Sequence, residues 1–116
     1  MSATARRIGM ALLLALFALQ VAWHVVLVPP APHLRAATWS LALLPLAATL
    51  AWCLRSPRRG LLLGGFVGLP YFVHGVVAAM GNGPWRGLAL AEVVLTVGVV
   101  ASIGWATAIE KRAARA

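Results

Sequence analysis

Residues 61–80 read LLLGGFVGLPYFVHGVVAAM, and this stretch contains no Asp, Glu, Lys or Arg. The hydrocarbon core of a bilayer is about 30 Å thick and a helix rises about 1.5 Å per residue, so about 20 apolar residues span it. Inside lipid, an apolar run of this length bonds its own backbone N–H and C=O groups as a helix. The stretch therefore predicts a membrane-spanning α-helix.

Three further stretches pass the same test, and they cover residues 8–28, 36–54 and 88–109. The chain has 116 residues, of which 62% are hydrophobic and 10% charged, and the spans leave no room for a soluble domain. The connections between the stretches are short, which makes consecutive helices antiparallel. The sequence thus predicts an all-α fold, a single domain over residues 1–116 built as an integral membrane up-down four-helix bundle.

The basic residues predict how this bundle is oriented. The sequence holds ten Lys and Arg against two acidic residues. Most of the basic residues flank alternate ends of the spans, namely Arg6, Arg7, Arg55, Arg58, Arg59, Lys111, Arg112 and Arg115. The connections at residues 29–35 and 81–87, at the opposite ends of the spans, carry only Arg35 and Arg86. Cytoplasmic loops are enriched in Lys and Arg, so both termini are predicted to be cytoplasmic.

The lipid bilayer is the partner that this composition predicts. A formal net charge of +8 in a soluble protein would suggest nucleic-acid binding, but here the charge follows membrane topology and we expect no nucleic-acid partner. A cleaved signal peptide would need a small-x-small site, and the first apolar run continues to Val28 without a convincing one. The excess of Arg over Lys, with abundant Ala, Leu and Gly, is typical of GC-rich bacteria and predicts a multi-pass protein of the bacterial inner membrane.

One face of the third span consists of small residues. Gly64, Gly68 and Gly75 lie on this face together with Tyr71 and Ala78, at a spacing that permits close approach of another helix. We predict a packing face here. The spacing leaves open whether the face meets the chain's own helices, a second copy or another membrane protein.

Proline, tryptophan and cysteine add further expectations. Pro45 and Pro70 fall inside the second and third spans, where each is expected to kink its helix and free the carbonyl of Leu41 or Phe66. Cys53 is the only cysteine, so an intrachain disulfide is excluded and we expect a packing role. Five tryptophans are expected at the membrane interfaces: Trp23, Trp39, Trp52, Trp85 and Trp105.

Polar side chains inside the spans are the best functional clue, because they are costly in lipid. Gln20 and His24 lie one turn apart, with His24 about 6 Å below the outer end of the first span. His74 lies about 9 Å below the outer end of the third span, with Tyr71 one turn deeper, and Glu92 lies about 6 Å below that of the fourth. We hypothesise that these five residues form a hydrogen-bonded cluster facing the bundle interior, open to the periplasmic side.

Three interpretations of this cluster stay open. The side chains can act as interfacial anchors or as interhelical hydrogen-bonding groups, which contribute about 0.6 kcal/mol each. A histidine beside a buried carboxyl can hold or pass one proton. Two histidines and one carboxylate can also bind a metal ion, but no HxxxH or ExxH pair marks the chain. We therefore predict no metal and no cofactor.

Several short motifs are shared with a known family. They are Trp23-His24 followed by Pro29, Leu43-Leu44-Pro45-Leu46, residues 71–77 (YFVHGVV), Arg86 and residues 88–92 (LALAE). In these motifs the chain resembles an uncharacterised proteobacterial family of predicted inner-membrane proteins, domain of unknown function number twenty sixty-nine. The resemblance covers nearly the whole chain, and it implies a family but no function.

Three functional hypotheses follow. Because almost every residue is committed to spanning and packing, the leading prediction is a non-catalytic accessory membrane protein, whose partner is a second copy or another membrane protein. The alternative is an oligomeric proton-linked transporter that uses Glu92 and the histidines. Small multidrug-resistance transporters also place four helices in about this length, but their essential glutamate is in the first helix, where this chain has Gln20 and His24. The third is a membrane enzyme or redox subunit with His24 and His74 as metal or haem ligands.

Overall fold

The structure is a computed structural model that describes residues 3–27, 30–81 and 83–115. Three sequence expectations fall on other positions and lie outside the described residues. They are the end of the first span at Val28, and the positions of Pro29 and Asn82, which the span boundaries place in the first and third connections.

The described ranges form an all-α structure, which confirms the predicted fold class. Helix α1 covers Ala3–Val21 and continues as a π-helical segment over Ala22–Leu27. A short 3-10 turn over Pro32–Leu34 leads into α2, which covers Arg35–Arg55. Helices α3 and α4 cover Pro57–Ala79 and Arg86–Arg115. Within these ranges, four helices are long and apolar enough to cross a membrane.

The helices pack as an antiparallel bundle in which α1 contacts α2 and α4, and α3 contacts α2 and α4. At one end α1, α3 and α4 meet, because a Cβ at Gly9 would lie 2.8 Å from Cδ2 of Leu61 and 3.6 Å from Oγ of Ser102. Arg58 at the start of α3 pairs with Glu110 near the end of α4 at 3.1 Å. The beginnings of α1 and α3 and the ends of α2 and α4 therefore lie at the same end of the molecule.

The connection between α2 and α3 is tighter than predicted. Residues 55–60 were expected to form a turn, but Ser56 alone separates the two helices. Pro57 starts α3, a position where its missing N–H is not needed. Gly60 faces the last turn of α2, and a Cβ there would lie 2.6 Å from the backbone of Cys53. This close approach requires glycine and buries Cys53 in the core.

Helix α4 is longer than its predicted span. It extends to Arg115, and its 30 residues have a length of about 45 Å, beyond the roughly 30 Å of hydrocarbon. Lys111 and Arg112 continue the helix because they are good helix formers and no Pro or Gly interrupts them. Helices α2 and α3 also run without interruption through Pro45 and Pro70.

The bundle exposes apolar side chains on its outside. In the most apolar part of each helix only 22 to 28% of residues are buried. The buried residues form one core, made of Leu13, Leu16, Leu46, Cys53, Leu61, Tyr71, Val99 and Ile103. An apolar exterior of this extent suits contact with lipid. Lipid tails are as apolar as these side chains, so the side chains gain nothing from being buried inside the protein.

Candidate functional site

The site is built from three polypeptide segments that meet near the α1–α2 and α3–α4 connections. The end of α1 and its π-helical segment supply Gln20 and His24, α3 supplies Tyr71 and His74, and α4 supplies Glu92. Helix α3 approaches α4 closely here, since a Cβ at Gly75 would lie 3.2 Å from the carbonyl oxygen of Ala89. The missing side chain at position 75 thus lets the neighbouring His74 reach α4.

Glu92 and His74 form a direct pair. Nδ1 of His74 lies 3.0 Å from Oε2 and 3.2 Å from Oε1 of Glu92. The side chain of Glu92 is 0% exposed, whereas that of His74 is 46% exposed. The imidazole therefore lies between a fully buried carboxyl and the outside of the bundle.

The pair can share one proton in two ways. In both ways a second proton stays on Nε2. With the shared proton on Nδ1, the imidazolium donates to both carboxylate oxygens and the pair is an ion pair. With the proton on the carboxyl group, that group donates to Nδ1 of a neutral imidazole. Histidine is the side chain whose charge changes most readily near neutral pH, so this arrangement can take up or release a proton.

The rings of His24 and Trp23 lie next to that of His74, so three rings form one group. The ring centroids of His24 and His74 are 5.6 Å apart, and those of Trp23 and His74 are 5.1 Å apart. Trp23 and His24 are stacked with an interplanar angle of 1°. Nε1 of Trp39 donates to the carbonyl oxygen of His24 at 3.0 Å, which fixes α2 to the π-helical segment.

Sequence reasoning missed the role of Trp23. It was expected at the membrane interface, but it is 7% exposed and packs against the two histidines. A sequence signal existed, because Gln20, Trp23 and His24 are spaced by three and four residues and so share a helix face. Trp52, Trp85 and Trp105 are exposed, and their position at the membrane interfaces stays a prediction.

Tyr71 has a different partner from the one expected. Its hydroxyl donates to the carbonyl oxygen of Ala42 on α2 at 2.6 Å. This carbonyl is adjacent in sequence to that of Leu41, which lacks its helical partner because Pro45 has no N–H. Tyr71 thereby joins α3 to α2 where the proline weakens the α2 hydrogen-bond pattern.

Gln20 is buried without a complete set of partners. The residue is 1% exposed, and its Nε2 has no hydrogen-bond partner within the described part of the chain. Of the five predicted cluster residues, the structure thus joins Glu92 and His74 by hydrogen bonds, places His24 beside them, and directs Tyr71 to the backbone of α2.

A cavity of about 390 Å³ lies between the end of α1, α2 and α3. Four of the five predicted residues line it, and Glu92 lies behind His74. Its lining residues are Gln20, His24, Thr38, Leu41, Ala42, Pro45, Phe66, Val67, Pro70, Tyr71 and His74. Its lining is mainly apolar with a few polar groups, the composition of small-molecule sites between the helices of bundles.

The predicted glycine face lies against the chain's own helices at two of its three glycines. A Cβ at Gly64 would lie 3.0 Å from Leu13 and 3.3 Å from Thr49, and one at Gly75 would lie 2.9 Å from Val93. Gly68 has nothing within 4 Å of the same position. Its neighbour in space is a second cavity of about 320 Å³, which Thr96 also lines.

Within residues 3–27, 30–81 and 83–115, no group of three or more His, Cys, Asp or Glu is arranged to hold a metal ion. Comparison with protein families identifies the chain. The model of a family described as "Predicted membrane protein (DUF2069)" matches residues 8–111. No curated protein and no solved structure matches the chain.

Proposed function

The chain belongs to the DUF2069 family of predicted membrane proteins, and from this premise we propose that it is a non-catalytic membrane protein with a proton-linked binding site. The observation that carries the proposal is the pair formed by Glu92, which is fully buried, and His74, which is half-exposed. The pair holds the proton, and the adjoining cavity receives the ligand.

The energetics favour a proton-holding role over simple helix association. A buried ion pair loses hydration that its mutual attraction often fails to replace, so apolar residues of similar size would hold the helices together as well. Neutral polar groups would also serve that purpose. A carboxyl and an imidazole in contact offer in addition an exchangeable proton.

The exposure of the pair supports a route for this proton. Glu92 has no exposed surface, whereas the imidazole of His74 is bound through Nδ1 and partly open. The other titratable side chains facing the pair are His24 and Tyr71, and Tyr71 is engaged with the α2 backbone. A proton reaching Glu92 therefore passes through the imidazole of His74.

A second candidate, an oligomeric proton-linked transporter using Glu92 and the histidines, is favoured by the cavity beside His24 and His74. Four helices alone do not enclose a complete pathway for a solute, so this candidate needs several copies. Ligand-driven proton movement into sealed vesicles distinguishes transport from binding, because a binding protein takes up protons without net flux.

Infrared spectroscopy tests the proton-linked site. The purified protein in lipid is titrated with acid and base while the C=O band of protonated carboxyl groups is followed. Glu110 and the C-terminal carboxyl also contribute to this region, so we follow the separate band of a carboxyl group shielded from water. We expect that band to be reversible, to disappear in Glu92→Gln and to persist in Glu110→Gln. The sequence contains only these two acidic residues, so the second variant is a matched control.

The histidines provide the second half of this experiment. In His74→Gln we expect the buried-carboxyl band to remain and its dependence on pH to be lost, because a buried carboxylate without a neighbouring cation is too costly to populate. The matched control is His33→Gln, which changes an exposed histidine near the first outer connection and leaves the band unchanged. A buried-carboxyl band that does not change with pH in the wild-type protein rejects the proposed site.

A further inference from the structure

The cavity contains a polar side chain that nothing in the described chain satisfies. Gln20 is 1% exposed, and its Nε2 has no hydrogen-bond partner among the residues that the structure describes. A buried donor without a partner keeps the cost of its lost hydration, and a ligand that accepts a hydrogen bond from it removes that cost. The terminal torsion of glutamine is soft, so a small rotation presents its N–H group to the cavity.

The cavity opens between α2 and α3 rather than only at the end of the bundle. Leu41 and Phe66 lie on its two sides and are 78% and 73% exposed on the apolar exterior. Pro45 and Pro70 also line it, so the proline of each helix faces the same space. A molecule dissolved in the bilayer therefore reaches Gln20 without crossing the aqueous phase.

The lining determines the chemistry of the ligand. No Lys, Arg, Asp or Glu is among the lining residues, so a permanently charged group finds no counter-ion there. The groups able to donate are the amide of Gln20, the ring N–H groups of His24 and His74, and the hydroxyl of Thr38. The hydroxyl of Tyr71 already donates to Ala42. The complementary head is a neutral hydrogen-bond acceptor on an apolar body.

We propose that this cavity binds a lipid-soluble carbonyl compound, with its carbonyl oxygen accepting a hydrogen bond from Gln20 and its apolar body lying between Pro45 and Pro70. The inference rests on the proposed function, because it names the ligand of the same site. A volume of about 390 Å³ accommodates the head and the first part of a chain, while the remainder extends into lipid between α2 and α3.

The bilayer supplies such compounds from two sources, esters of glycerol and quinones, and fluorescence of Trp23 distinguishes them. In a variant with Trp52, Trp85 and Trp105 replaced by Phe, which keeps the bond from Trp39 to His24, we measure quenching by decyl-benzoquinone and by a diacylglycerol with brominated chains. Trp23 reports on the site because its ring centroid is 5.1 Å from that of His74. We expect saturable quenching by at least one compound. A compound that saturates alone identifies the source, and saturation by both supports binding through the carbonyl group that they share.

Substitution of Gln20 connects the quenching to the cavity. Gln20→Met keeps an unbranched side chain without the amide, and Gln20→Asn keeps the amide but withdraws it. We expect about tenfold weaker binding in each, the effect of one lost hydrogen bond. Ser102→Ala is the control, because Ser102 is a buried polar residue outside the cavity whose hydroxyl bonds its own helix. Either Gln20 variant suffices if the other fails to accumulate.

Several results overturn the inference. Quenching that rises linearly with both compounds shows partition into lipid alone, and quenching with unchanged affinity in the Gln20 variants places the ligand elsewhere. The failure of this inference is distinct from that of the proton-linked site. Without saturable quenching the pH-dependent carboxyl band of Glu92 still stands, and Glu92→Gln removes that band while Gln20 continues to bind the carbonyl compound.

Discussion

Single residues in this protein differ sharply in how closely neighbouring atoms surround them. Glu92 has no exposed surface, and His74 is the side chain in the described ranges that hydrogen-bonds its carboxyl group. Gly64, Gly68 and Gly75 look equivalent in sequence, yet their surroundings differ. The close approach at positions 64 and 75 is to the chain's own helices, whereas position 68 borders open space.

This difference predicts opposite outcomes for one substitution. Gly75→Ala places a methyl group 2.9 Å from Cγ2 of Val93 and 3.2 Å from the carbonyl oxygen of Ala89, so something must move. We expect a loss of about 1–3 kcal/mol in the free energy of unfolding, the usual cost of overpacking. Unfolding in SDS from mixed micelles measures it.

Gly68→Ala is the matched control on the same helix face. Nothing lies within 4 Å of its added methyl group, so we expect a change within about 0.5 kcal/mol. Equal effects of the two substitutions would contradict this account of the glycine face.

Contacts between elements explain how a helix with an internal proline stays in place. Helix α2 continues through Pro45, and Tyr71 on α3 donates to the carbonyl oxygen of Ala42 beside the weakened turn. At the outer end, Trp39 on α2 bonds the π-helical segment that follows α1. These two bonds anchor α2, which otherwise borders the cavity.

We expect Tyr71→Phe to lower the free energy of unfolding by about 1 kcal/mol, because it removes one interhelical hydrogen bond and little apolar surface. Thr107→Val is the control, since that hydroxyl also bonds a backbone carbonyl at 2.6 Å, but within its own helix. We expect its effect to stay below about 0.5 kcal/mol. SDS unfolding of both variants decides whether the bond between α2 and α3 matters.

At the scale of the whole molecule, the antiparallel packing of α3 and α4 brings together two pairs of residues that are far apart in sequence. These are Arg58 with Glu110 and His74 with Glu92. The Arg58–Glu110 pair lies at the end with most of the basic residues, and the Glu92–His74 pair lies at the other end. If the first end is cytoplasmic, the polar site faces the periplasmic half of the membrane. The orientation itself stays a prediction from the charge distribution.

Reporter fusions test this orientation. Fusions after residue 57 and at the C-terminus are expected to behave as cytoplasmic, and one near residue 83 as periplasmic, because positively charged loops remain on the cytoplasmic side. Alkaline phosphatase and green fluorescent protein report opposite sides, so each fusion site carries its own control. A periplasmic C-terminus would place the site in the cytoplasmic half.

The sequence by itself determined the helical class and the number of helices able to span a membrane, because apolar run length and helical rise depend only on the chain. The depth of the polar residues stays a prediction. Partners across helices depend on rotation of each helix about its axis, which no local pattern specifies. Only the tertiary structure therefore paired His74 with Glu92, turned Tyr71 toward Ala42, placed Trp23 against the histidines and left the amide of Gln20 beside a cavity.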